Sequence, residues 1–80
     1  MERTEIFEKL NEIFEDVLDL EETPSLAEET SANDIEEWDS LAQVQLVVAI
    51  EKAFSVKFTA KEIMTWKNVG EMVNSIISKQ

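Results

Sequence analysis

Asp39 and Ser40 stand together at the head of an apolar stretch, and their types and spacing invite chemistry. An aspartate before a helix is a suitable N-cap, because its oxygen accepts free amides of the first turn. A serine at that turn lies beside free amides and the positive end of the helix dipole, both favourable to a phosphate group. A phosphate ester on the Ser40 hydroxyl would therefore be well placed. The plainer alternative is that Asp39 and Ser40 only start a helix. Capping and periodicity leave both open.

Other chemistries find little support. The 80 residues include no Cys, His or Tyr, so thiolate, disulfide and imidazole chemistry are out of reach. A calcium loop of the paired-helix type needs a glycine inside an acidic segment. The sole glycine, Gly70, is far from the acidic region. Catalysis by Glu36, Glu37 or Asp39 would require a pocket and a displaced pKa, and a solvated acidic segment is the better account. No catalytic residue and no metal ligand is assigned.

Eighteen acids against seven bases give a formal net charge of −11. Such a chain does not bind nucleic acid by neutralising phosphates, nor an anionic membrane by charge. Its attractive partners are cations and proteins with basic patches. The charge is uneven: residues 1–39 hold 15 acids and 2 bases, whereas residues 40–80 hold 3 acids and 5 bases. The acidity stops at Asp39, so a basic partner would grip the approach to Ser40.

Length and an apolar content of 44% fit one small domain over residues 1–80. One Gly and one Pro favour helices over hairpins. Ile6, Phe7, Leu10, Ile13, Phe14, Val17 and Leu18 recur at helical spacing and predict an amphipathic helix over residues 3–19. Glu2 and Glu5 fall in its first turn. Residues 20–38 have no clean period and form a long connection, the kind of loop that is often functional. Leu26, Ile35 and Trp38 are expected to tack it to the bundle.

A second helix follows from Ser40 to Phe54, a third around Ala60 to Met64 behind the Thr59/Glu62 capping box, and a fourth from Val69 onward behind Asn68/Glu71. Ser55 to Phe58 is an extended link. The architecture is all-α: a four-helix bundle with three longer helices, one short third helix and a long first loop.

The second helix carries two apolar stripes. Leu46, Val47, Ile50 and Phe54 fall on one face, and Leu41, Val44 and Val48 nearly opposite. Either the helix is buried on both sides, or the second stripe is a docking surface next to Ser40. Trp38 and Trp66 are read as packing residues. No apolar run is long enough to span a membrane, and the start Met1-Glu2-Arg3-Thr4-Glu5 lacks the features of a signal peptide. The expectation is a soluble, cytoplasmic, free-standing monomer.

Asp39-Ser40-Leu41, with Val44, Leu46-Val47, Ile50-Glu51 and Phe54 downstream, closely resembles the prosthetic-group site of acyl carrier proteins. The helix order, acidic first loop, Val56-Lys57-Phe58 and the last helix extend the resemblance over essentially the whole chain. It implies that Ser40 receives 4′-phosphopantetheine from coenzyme A through a magnesium-using phosphopantetheinyl transferase. The arm's thiol then carries an acyl group as a thioester, so the missing sulfur is imported. Asp39 matches the acidic residue that guides the transferase. Leu41, Val44, Val48 and Glu51 match positions that meet partners: the acyl-loading and acyl-processing ligases, synthases or transferases.

The sequence also departs from the family pattern. Glu37 stands where the family commonly has Gly, and Trp38 after it resembles a subset of discrete carriers more than the housekeeping carrier of fatty acid synthesis. Ala42, Gln45 and Lys52 replace the usual acids of the second helix. The expectation is a carrier for a fatty acid, polyketide or other specialised acyl pathway, with no catalysis of its own. The alternatives are a D-alanyl or aminoacyl carrier, and an acidic inhibitor or mimic without a prosthetic group; the last would tolerate Ser40→Ala.

Overall fold

In the computed structural model, which describes residues 2–79, four α-helices follow the expected order: α1 (Arg3–Val17), α2 (Ser40–Phe54), α3 (Ala60–Met64) and α4 (Val69–Lys79). A 3₁₀ turn at Ala32–Asp34 interrupts the long first connection. Among the described residues there is no strand, and no helix is long and apolar enough to cross a membrane.

The first helix stops two residues earlier than its periodicity predicts. Asp19 adopts a left-handed backbone, φ 53°, which ends the helical run, and the Leu20 amide folds back onto the Glu15 carbonyl at 3.0 Å. Ser55 (φ 54°) closes α2 the same way, with the Val56 amide on the Glu51 carbonyl at 3.1 Å. In both cases the next residue, Leu20 or Val56, turns toward the core. At the other end of α1, Glu2 is the N-cap rather than part of the first turn, and its amide donates to Glu5 Oε1.

The core is built from one stripe of each long helix. Ile6, Leu10 and Phe14 of α1, Leu46 and Ile50 of α2, and Met72, Val73 and Ile76 of α4 are fully buried. Each such side chain contributes about 1.5–3 kcal/mol through removal from water. The face of α2 carrying Leu41, Val44 and Val48 points outward, so the helix is buried on one side only.

Hydrogen bonds hold the long loop where its weak apolar pattern would not. Asn11 Oδ1 accepts from the Leu26 amide at 3.0 Å. The Val69 and Gly70 amides donate to the carbonyls of Thr30 and Glu28 at 2.8 and 2.9 Å, joining the loop to the start of α4. Gly70 permits that approach: a Cβ there would lie 2.8 Å from the Glu28 carbonyl oxygen. Leu26 and Ile35 are half-buried against the core, and Trp38 is buried with its ring edge-on to Phe14, centroids 4.9 Å apart.

Candidate functional site

Ser40 is the first residue of α2 and is exposed. Asp39 before it is extended (φ −103°, ψ −172°), and its Oδ1 accepts the Ala42 amide at 2.8 Å. Its carbonyl takes the Gln43 amide at 2.9 Å. The turn presenting the Ser40 hydroxyl is thus fixed by a charged cap.

A groove of about 560 Å³ opens beside Ser40, between the start of α2 and the α3–α4 connection. Trp38, Ile63, Met64, Trp66 and Met72 supply its apolar lining. Asp39, Ser40, Gln43, Lys67 and Asn68 supply polar atoms. Both indoles are held in place. Trp38 Nε1 donates to Gln43 Oε1 at 2.6 Å, and Trp66 Nε1 to Ser75 Oγ at 2.8 Å while its ring meets Phe58 edge-on at 4.9 Å. The two tryptophans therefore pack, as expected, and line the groove as well.

The positions expected to meet partners divide into two groups. Leu41, Val44 and Val48 are 70%, 61% and 46% exposed and form a stripe running down α2 from Ser40. Met64 of α3, 84% exposed, adds apolar surface of its own. Glu51 lies near the far end of α2, half-buried, with Oε2 accepting the Phe58 amide at 2.9 Å. It fixes the link between α2 and α3 and is no part of the groove.

Two carboxyl groups are held below their ordinary range, and neither lines the groove. Glu28 is lowered chiefly by its hydrogen bond from Arg3. Glu62 is lowered chiefly by the Thr59 amide and then by Lys79, whose ammonium lies 2.9 Å away. No group of three or more acidic side chains among the described residues is disposed to hold a metal ion.

Sequence reasoning did not find the groove. Its polar members come from the start of α2 and from the α3–α4 connection, and Gln43 carries no local signal. The only pointers were Trp38 and Trp66, bulky residues in segments without a clean period.

An exposed serine behind an acidic cap thus stands at the head of the second helix of an all-helical chain. The family described as "Phosphopantetheine attachment site" matches residues 8–76. The acyl carrier protein of Coprothermobacter proteolyticus is 33% identical over 78 residues, covering 98% of this chain and 94% of that protein. That of Rubrobacter xylanophilus is 32% identical over 80 residues, covering 100% and 98%. A solution NMR structure of holo acyl carrier protein from Geobacter metallireducens superposes with a TM-score of 0.84 at 38% identity, covering 91% of this chain and 83% of that one. The chain belongs to the acyl carrier protein family, whose cofactor is a covalently attached 4′-phosphopantetheine. Members are non-catalytic carriers that work with a phosphopantetheinyl transferase and with acyl-processing enzymes.

Proposed function

We propose that residues 1–80 form one carrier domain, a cytoplasmic monomer that holds acyl intermediates as thioesters on an arm attached at Ser40. The observation that carries this reading is the exposed Ser40 hydroxyl at the first position of α2, beside a groove roomy enough for a tethered group. The residues fit the cofactor: the helix start favours a phosphate on Ser40, and the adjoining groove offers both apolar walls and polar atoms. When bound, the arm supplies a thiol that this cysteine-free chain lacks.

The chain's own residues position and present that arm. Asp39 holds the turn of Ser40 through its cap and offers a charge to the modifying enzyme. Leu41, Val44 and Val48 offer apolar contact to partners. Glu51 is assigned a part in recognition together with its internal bond to Phe58. Because α2 bears no other acid, its partners are enzymes that engage an apolar helix, those of a specialised fatty acid, polyketide or related acyl pathway in place of the housekeeping synthase. The basic contacts fall on the acidic first loop and Asp39.

Intact mass tests the attachment. The chain is incubated with coenzyme A, magnesium and a broad-specificity phosphopantetheinyl transferase. The wild type gains one phosphopantetheine-sized increment and Ser40→Ala gains none. The same increment on Ser40→Ala, or none on the wild type, would sink the assignment.

A further inference from the structure

The net charge of −11 points toward a basic partner, yet the outward face of α2 ends in the opposite sign. Its stripe of Leu41, Val44 and Val48 continues to Lys52, one turn further along the same face. Lys57 follows in the link, and Lys61 in the first turn of α3, three residues before the exposed Met64. All three lysines are exposed, and neither ion pair among the described residues, Arg3–Glu28 or Lys79–Glu62, includes them. The acids of this stretch are occupied: Glu51 accepts the Phe58 amide, and Glu62 the Thr59 amide and the Lys79 ammonium. The acid-rich α1 packs on the buried side of α2, away from the stripe. At the Ser40 end the sign turns over, where Glu36, Glu37 and Asp39 are exposed.

The face thus runs from carboxylates beside Ser40, over an aliphatic stripe, to three ammonium groups. Opposite charges at its two ends fix the direction in which a partner can lie on it, because a reversed partner meets like charges. We infer that α2 and α3 form one directional docking face, and that it fits a partner protein whose apolar seat is bordered by carboxylates where it meets Lys52, Lys57 and Lys61. The inference rests on the reading that Leu41, Val44 and Val48 meet partners, and adds to it the sign of the charge and the orientation. Aliphatic residues beside lysines would also suit an anionic bilayer, but Glu36, Glu37 and Asp39 on the same face are repelled by one. A second copy of the chain is opposed by the net charge of −11 on each.

Two synthetic helical peptides with the same leucine stripe, one flanked by Glu and one by Lys, serve as probes. Each is titrated into the unmodified chain and followed by spectra correlating ¹H and ¹⁵N. Loading at Ser40 is measured by intact mass on the same preparations, so a failure of the docking face and a failure of the carrier reading are told apart. The Glu-flanked peptide is expected to move the signals of Val48, Lys52, Lys61 and Met64, less so as salt is added. The Lys-flanked peptide moves signals of the acidic loop instead. Lys52→Glu combined with Lys61→Glu weakens the first peptide by about tenfold. Both lysines are exposed and outside the ion pairs, and the salt series on the wild type needs no substitution. The inference is overturned if neither peptide binds, if the Lys-flanked peptide takes the Val48–Lys52 face, or if the double variant binds like the wild type. Phosphatidylglycerol vesicles that move the same signals would assign the face to a membrane, and shifts that grow with chain concentration would assign it to a second copy; either result also overturns it.

Discussion

Arg3 grips Glu28 across 25 residues of sequence: Nε donates to Oε2 at 2.6 Å and Nη2 to Oε1 at 2.5 Å. The same guanidinium donates to Asn74 Oδ1 at 2.9 Å and to the Gly70 carbonyl at 3.3 Å. One side chain at the start of α1 therefore ties down both the long loop and α4. The planar fork of arginine suits this task, whereas lysine would offer a point charge.

That contact has a pH signature. The hydrogen bond from Arg3 holds the Glu28 carboxyl below the ordinary value of 4.5. A depressed folded pKa gives stability that is present above the unfolded pKa and lost as pH falls through the folded one. At neutral pH the wild type melts above Glu28→Gln, and the difference in Tm closes as pH falls below 4.5. Thermal melts by circular dichroism across that range check it. A gap that stays constant far into acid would refute the linkage.

Gly70→Ala is destabilising for a reason of space. The added Cβ would sit 2.5 Å from Glu28 Oε1 and 2.8 Å from the Glu28 carbonyl. The carboxylate can swing away, but the carbonyl moves only with the loop, which already accepts the Gly70 amide. The expected loss is about 1–3 kcal/mol, as for overpacking elsewhere, read from urea unfolding. An unchanged midpoint would show that the loop yields freely.

Asp39 combines a cap with a charge, and two substitutions separate them. Asp39→Ala removes the acceptor of the Ala42 amide and costs about 0.5–2 kcal/mol. Asp39→Asn keeps an oxygen there and most of the stability. If the charge guides the transferase, both variants are modified more slowly, the Asn variant despite its intact fold. Modification of Asp39→Asn at the wild-type rate would leave Asp39 with capping alone.

The two faces of α2 respond in opposite ways. Leu46 is fully buried, so Leu46→Ala costs about 2–5 kcal/mol. Val44, 61% exposed, loses no core contact, and Val44→Ala changes stability by less than about 0.5 kcal/mol. Its effect falls instead on acyl transfer by a partner enzyme, which weakens. Unfolding curves and transfer rates measured on both variants give the comparison. A Val44→Ala chain as active as wild type with every partner would remove that stripe from docking.

By itself the sequence determined the local structure. Apolar spacing of three and four placed the helices, and Asp39, Thr59 with Glu62, and Asn68 with Glu71 marked three of their starts, because periodicity and capping act within a few residues. It also singled out Ser40 through its neighbours. It could not choose between the two stripes of α2, since both have helical spacing. Only packing into the shared core, chiefly against α1, decided that Leu46 and Ile50 go in while Leu41, Val44 and Val48 stay out. The end of α1 turned on the left-handed backbone of Asp19, which apolar spacing does not report. The path of the loop and the groove belong wholly to the tertiary structure. They rest on Arg3 meeting Glu28, on Thr30 meeting Val69, and on Trp38 turning Gln43 in a groove shared with Lys67. Most of these residues lie tens of positions apart, beyond the reach of any local pattern.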